Sequence, residues 1–509
     1  MFFFFMRSLS LASAACGRLC SLFGVGVSAL RHGVGVFAMM KAKRTVQRSE
    51  FHFVRVREFQ REAEVLVSGV SPEQRQGRQA QESYFVPKLV TLCAEVIAAN
   101  FAALPEADGL RDEHPKLYDD IIERLPTDLP LTVSVPRILS DEYWRRCCEA
   151  RWSLGQLSSG TFGKLLPPRC EGWKQSCLER VLSDFLTALR SPEMTEAEQE
   201  ELDNLCLVCR GYVHTLDLAC QVTRFALYDC LLSRMPHLED IRLTIGVNNV
   251  GTNFEWGMMG FEESDAWSVR RALINYAPLR CLRLPNNRLN SSLLKGILGG
   301  LVHNTSITVL DFSSNRIDDE GARQLALLLS KADFPLEELY LHDNQIRGDG
   351  AVALGESLTM NKALRVLNLR LNRIPDEAGG VAIVNGLAAH PTLEVLDLSH
   401  NMLGDATARA LAEALPLQTS LRSLNIAGNK ALGLDTSELL LQGVRGNTTL
   451  CFFDARECGV EKSCLKAMED KVQDIVRAIR RQELEAKEEL QRQKIRQEVD
   501  AKLAKTFFV

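Results

Sequence analysis

The chain has 509 residues, a formal net charge of −5, 46% hydrophobic and 25% charged residues, which is enough for several domains. The slight acidity argues against a nucleic-acid partner, and no apolar run approaches the 18 residues of a membrane-spanning helix. Fifteen cysteines without paired spacing point to a reducing compartment and core thiols rather than a disulfide framework.

Residues 1–40 carry arginines at 7, 18 and 31, four consecutive phenylalanines and no acid. Such a composition fits a mitochondrial-type presequence, but it favours a start called too far upstream, with Met39 or Met40 as the true beginning. A secretory signal ranks below both. Residues 41–83 read as a polar arm rich in Gln, Arg and Glu.

A mainly helical module is expected over 84–204. Helical periodicity runs from Tyr84 to Leu104 and again over 114–125. The segment P-L-T-V-S-V-P (130–136) reads as a brief extended stretch, because its prolines forbid a long strand. Ser140 is placed to cap the helix that follows, and another helix covers 173–186. Ser191 before Pro192 resembles a cap with proline in the first turn, while Thr195 with Glu198 makes a capping box. Cys206 and Cys209 form a C-x-x-C without a second pair at zinc spacing, so burial explains them better than metal.

From 205 to 460 the chain reads as a leucine-rich repeat domain. Seven clear copies of one frame start at Leu279, Ile307, Leu336, Leu364, Leu393, Leu421 and Leu450, spaced alternately by 28 and 29 residues. Two degenerate copies precede them, at Val213-Leu216-Leu218 and Leu238-Ile241-Leu243. Leucines at positions 1, 4 and 6 of each frame point inward, around a short parallel strand. The turn after the strand needs a side chain for its buried backbone groups. Asn287, Asn315, Asn344, Asn372, Asn401 and Asn429 supply it, with Cys458 in the seventh copy. The second half of each unit is amphipathic helix. Repeats of this length resemble the ribonuclease-inhibitor subclass, so the expected fold class is an α/β leucine-rich repeat horseshoe, strands inside and helices outside. The Gly/Asn-rich stretch 246–260 reads as an insertion, and Trp256 with Met258 and Met259 would be its apolar anchor if it met a partner.

Residues 461–509 lack glycine and proline and are dense in helix formers, giving a long charged helix with an imperfect heptad beyond Arg481. Val472, Ile475 and Ile479 are placed to cap the last repeat. The distal part reads equally as a solvated helix and as one strand of a coiled coil.

The string P-L-T-V-S-V-P-R-I-L-S-D-E-Y-W-R-R-C-C-E-A-R-W, followed by G-W-K-Q-S-C-L-E-R, resembles the T-complex-associated testis-expressed protein 1 family, subunit 5 of the dynein regulatory complex. The resemblance is specific over 130–180 and generic in the repeats. It implies a non-catalytic structural subunit of the nexin link in the axoneme of cilia and flagella, without cofactor. Its implied partners are other, largely coiled-coil subunits of that complex, with microtubule doublets or dynein as further ones, and neither nucleic acid nor membrane. Within the array, Glu338, Tyr340, His342, Asn368, Arg370 and Asp397 lie at outward strand positions on neighbouring repeats and form the candidate partner-binding patch. The alternatives are a generic cytoplasmic adaptor and a Ran-type GTPase-activating protein. The latter family usually ends in an acidic tail, whereas this tail has mixed charge. A nucleotide-binding receptor would need a phosphate loop, and Gly160 to Lys164 has the wrong spacing.

Overall fold

The computed structural model describes residues 89–152, 172–191, 193–246, 259–302, 304–331, 333–430 and 432–507. The leading arm, most of the 246–260 insertion and Pro192 lie outside the described residues. The chain divides into two compact units at Leu129/Pro130. In the first, α1 (Leu89–Ala99), α2 (Leu110–Glu113) and α3 (Pro115–Arg124) surround buried Phe101, Tyr118, Ile121 and Ile122. Pro115 opens α3 at a position that needs no N–H donor.

The second unit begins with helices. Residues 131–137, expected to be extended, form α4 (Leu131–Arg137). Pro130 sits just outside the helix, where its missing donor costs nothing, and Pro136 falls in the last turn. The prolines bound a short helix instead of forbidding one. In α5 (Asp141–Arg151) the Ser140 hydroxyl accepts from the Tyr143 amide, and the buried Trp144 indole donates to the Ile138 carbonyl at 3.1 Å. α6 (Trp173–Ala188) is followed by α7 (Glu196–Cys209), which opens on the Thr195–Glu198 capping box. The Ser191 reading is therefore corrected. Four residues separate it from α7, whose cap is Thr195, and its carbonyl accepts from the Thr223 hydroxyl at 2.6 Å.

The repeats then build a nine-stranded parallel sheet in unbroken sequence order. β1 (Thr215–Gln221) and β2 (Asp240–Ile245) are the two degenerate copies. Three-residue strands follow: β3 (Cys281–Arg283), β4 (Val309–Asp311), β5 (Glu338–Tyr340), β6 (Val366–Asn368), β7 (Val395–Asp397), β8 (Ser423–Asn425) and β9 (Phe452–Asp454). The connecting helices are α8 (Glu263–Asn275), α9 (Ser291–Leu301), α10 (Asp319–Leu329), α11 (Gly348–Met360), α12 (Val381–Ala389), α13 (Asp405–Ala414) and α14 (Leu434–Gly446).

Between sheet and helices the frame leucines form the core. Leu282, Leu310, Leu339, Leu367, Leu396 and Leu424 are all essentially fully buried. Helices pack closely because glycines stand where a Cβ would strike the next helix. At Gly355 it would meet the Ala382 carbonyl oxygen at 2.4 Å, and at Gly443 the Ala412 Cα at 2.6 Å. The chain ends in α15 (Lys462–Phe507), 46 residues and roughly 69 Å long. Its first part buries Cys464, Met468, Val472 and Ile475 against the last repeat, with Ile479 half-buried, and residues 481–497 are exposed throughout.

Candidate protein-docking surface

Each turn asparagine reaches back one repeat. Asn315 donates to the Leu284 and Phe312 carbonyls and accepts from the Asn287 and Leu289 amides at 2.9 Å each. Asn344 and Asn372 repeat the pattern, accepting from the Ile317 and Ile346 amides, and Asn401 accepts from Ile374. Asn287 bonds Ile245 and Leu243, and Asn429 bonds Leu403 and Leu398. In the seventh copy the Cys458 thiol donates to the Ile426 carbonyl at 3.0 Å. Such a ladder holds the turns in register, because each buried group left unpaired would cost about 1–3 kcal/mol.

A second ladder runs along the opposite ends of the strands, three residues before the first apolar residue in six of the seven frames (the third has the exposed Asp333 there), and was missed in the sequence. Its members are Tyr276, Asn304, Asn361, His390, Gln418 and Asn447. Asn361 accepts from the Ala363 and Leu364 amides and donates to the Leu329 carbonyl at 3.0 Å. Asn447 does the same with Thr449, Leu450 and Leu415. His390 accepts from the Thr392 and Leu393 amides through Nδ1, so its ring must be neutral there. Burial pulls its pKa down from 6.5 to about 4. The signal was the fixed spacing, hidden because four residue types share one job.

On these rungs the six candidate residues fall on three consecutive repeats, with His342 and Arg370 two residues past the ends of β5 and β6. Glu338, Tyr340 and His342 belong to the β5 repeat, Asn368 and Arg370 to the next, and Asp397 to β7. Tyr340 pairs in register with Asn368, and Asn368 with Asp397, at strand spacings of about 4.8 Å. The Tyr340 hydroxyl donates to Glu338 at 2.8 Å, and burial raises its pKa, followed by Glu338 itself. Arg370 is exposed, and the half-buried His342 has a buried Nδ1 without a hydrogen-bond partner.

Part of this face has a second duty. Asp311, Asn368, Asp397, Asn425 and Asp454 each accept, through one side-chain oxygen, the amide of the residue two positions on. These turns end the strands; the second Asp397 oxygen also accepts from the Asn425 side-chain amide at 3.4 Å, while the Asn368 amide nitrogen is left to meet a partner. Below them a charge ladder joins Glu337, Arg365 and Glu394, the last pair at 2.9 Å, with Glu239 and Arg280 three and two rungs before Glu337. Among the described residues no group of His, Cys, Asp and Glu is arranged to hold a metal ion, and no helix is long and apolar enough to cross a membrane.

Fold and ladders together define a leucine-rich repeat protein. The leucine-rich repeat family model matches residues 303–326, 333–355 and 389–412. The chain is 32% identical over 268 residues to mouse dynein regulatory complex subunit 5, covering 47% of this chain and 51% of that protein. Against the Chlamydomonas reinhardtii protein of the same name it is 32% identical over 211 residues, covering 40% and 50%. It is also similar to RAN GTPase-activating protein 2 of Arabidopsis thaliana, 34% identical over 114 residues, covering 22% and 21%. The resemblance to dynein regulatory complex subunit 5 is thus carried by animal and algal relatives, and the chain spans about half the length of those it matches.

Proposed function

We propose that this chain is a non-catalytic scaffold subunit of the nexin-dynein regulatory complex, localised to the axoneme of cilia or flagella. The observation that carries the reading is its similarity to dynein regulatory complex subunit 5 across animal and algal relatives. The concave strand face supports it. Six side chains suited to polar and aromatic contact sit on three adjacent rungs, on a backbone fixed by hydrogen-bond ladders at both strand ends. A backbone fixed in this way lowers the ordering cost of binding, which suits a permanent assembly. Other regulatory subunits, coiled-coil ones among them, are its proposed partners, and the exposed distal part of α15 offers a second contact.

The Ran-type reading rests on about a fifth of each chain and on the repeats, which unrelated proteins share. A tagged chain expressed in motile flagellated cells separates the two. Retention in the axonemal pellet after detergent and salt extraction, lost on deletion of another regulatory subunit, is the expected result. Charge reversal at Arg370 and Asp397 should release it to the supernatant. A wholly soluble pool would overturn the reading.

A further inference from the structure

The residue before each turn asparagine has a left-handed backbone in every repeat. Asn286, Ser314, Asp343, Leu371, His400, Gly428 and Glu457 have φ between 53° and 69°. Glycine, asparagine, aspartate and histidine take this conformation with little strain, and leucine does not. Yet Leu371 stands there with 43% of its surface exposed, making no contribution to the core. One rung on, Met402 is also 43% exposed, and its backbone bridges to Pro375.

Around these two apolar side chains runs a row of cations. Arg316, Arg373 and Lys430 follow the turn asparagines of their repeats, and their amides bond to the preceding rung at Leu289, Ile346 and Leu403. Arg347 lies at the start of α11 on the same rim. All four are exposed, and among the described residues none has a carboxylate within 4.0 Å. The neighbouring acids are differently placed. Asp319 accepts the Arg347 and Gly350 amides, Asp376 the Ala406 and Thr407 amides, and Asp405 the Gly433 amide. They sit at helix N-termini, where the positive end of the helix dipole offsets their charge. The exposed Asp343 is the carboxylate nearest in sequence to Leu371 in the left-handed row. The arginines have no such compensation.

We propose that this rim, at the end of the strands where the chain turns toward the helices, binds a short extended peptide in which acidic residues flank apolar ones. Leu371 and Met402 take the apolar side chains and Arg316, Arg347, Arg373 and Lys430 the carboxylates. From Arg316 to Lys430 is four rungs, about 19 Å, the length of about six extended residues. Exposed apolar anchors among the cations favour a peptide over a nucleic acid. This site does not depend on the scaffold reading, and Arg370 of the concave patch is left out of its test.

The test titrates the full chain with two labelled peptides of about eight residues, one of glutamates alone and one with two leucines among glutamates, and with a single-stranded oligonucleotide of matching charge. The leucine-containing peptide should bind most tightly. Arg316→Glu with Arg373→Glu should weaken it about tenfold or more, because two attractions become repulsions. Leu371→Asn should weaken it several-fold, by about three to ten, while the melting temperature holds or rises, since asparagine suits the left-handed turn better. Equal binding of the oligonucleotide, or affinity unmoved by either variant, would overturn the proposal. So would a Leu371→Asn chain with a lower melting temperature and unchanged affinity, for that leucine would then serve the fold.

Discussion

The two ends of the repeat array close in opposite ways. At the first strand the backbone is open, and the α6 carboxylate of Glu179 covers it. Glu179 is buried and accepts the His214 amide at 3.0 Å, the Thr215 amide at 2.8 Å and the Gln175 amide at 2.8 Å. Gln221 and Thr223 add bonds to the Leu186 and Ser191 carbonyls. At the last repeat the cover is apolar, with Met468, Val472 and Ile475 of α15 laid over the end of the array. A polar closure depends on single groups in fixed places, whereas an apolar one spreads its contribution over area and tolerates shape change.

The largest expected effect therefore lies at the first end. Glu179→Ala orphans two backbone amides in a buried site and should cost about 4 kcal/mol, read as a fall in the urea midpoint at constant slope. Glu179→Gln keeps an acceptor and should lose less than half of that. Desolvation raises the Glu179 pKa, so its folded value exceeds the unfolded one. The stability linked to this carboxyl is then complete below the unfolded pKa and declines as pH rises through the folded one. If Ala and Gln behave alike, the carboxylate is not what closes this edge.

His390 gives the next effect, and it has the opposite sign with pH. Its folded pKa of about 4 lies below 6.5, so the fold binds fewer protons there than the unfolded chain. Stability is full above pH 6.5 and is lost as pH falls toward 4, by up to about 3 kcal/mol. Asparagine fills the same place at Asn361 and Asn447, so His390→Asn should fold and should flatten that part of the pH profile. Equal pH profiles for the two chains would show that His390 is accessible to protons in the fold. At the apolar end, Ile475→Val should cost only about 1 kcal/mol, measurable as a small shift in melting temperature.

The same contrast governs what was readable in the sequence. The turn asparagines were legible because one residue type recurs at one spacing. The second ladder was not, because Tyr276, Asn304, Asn361, His390, Gln418 and Asn447 share only a position and an ability to bond backbone groups. The last-repeat cap was legible from the helical spacing of Val472 and Ile475, while Glu179 gave no signal, since a glutamate in a helix ordinarily faces water. Helix α4 was misread because proline was weighed as a breaker regardless of where in the helix it falls. In the candidate patch, the outward positions followed from strand alternation. The turn-closing duty of Asn368 and Asp397 was visible only once each strand was seen to end at that residue, whose side chain takes the amide two positions on.

The smallest stability effect belongs to the distal part of α15, and it separates fold from function within one helix. Leu484 and Leu490 are 59% and 54% exposed, and residues 481–497 carry a mixed charge that keeps them soluble without a partner. The intrahelical Arg492–Glu488 pair at 3.7 Å is solvent-exposed and holds little energy. Leu484→Gln with Leu490→Gln should therefore leave the melting temperature within error, a change of about 0.5 kcal/mol or less. If this segment docks a coiled-coil partner, the same pair removes apolar groups from that seam and should lower axonemal retention while the repeats remain folded. Unchanged retention with unchanged stability would assign the distal helix no docking role and leave that task to the concave face and its rim.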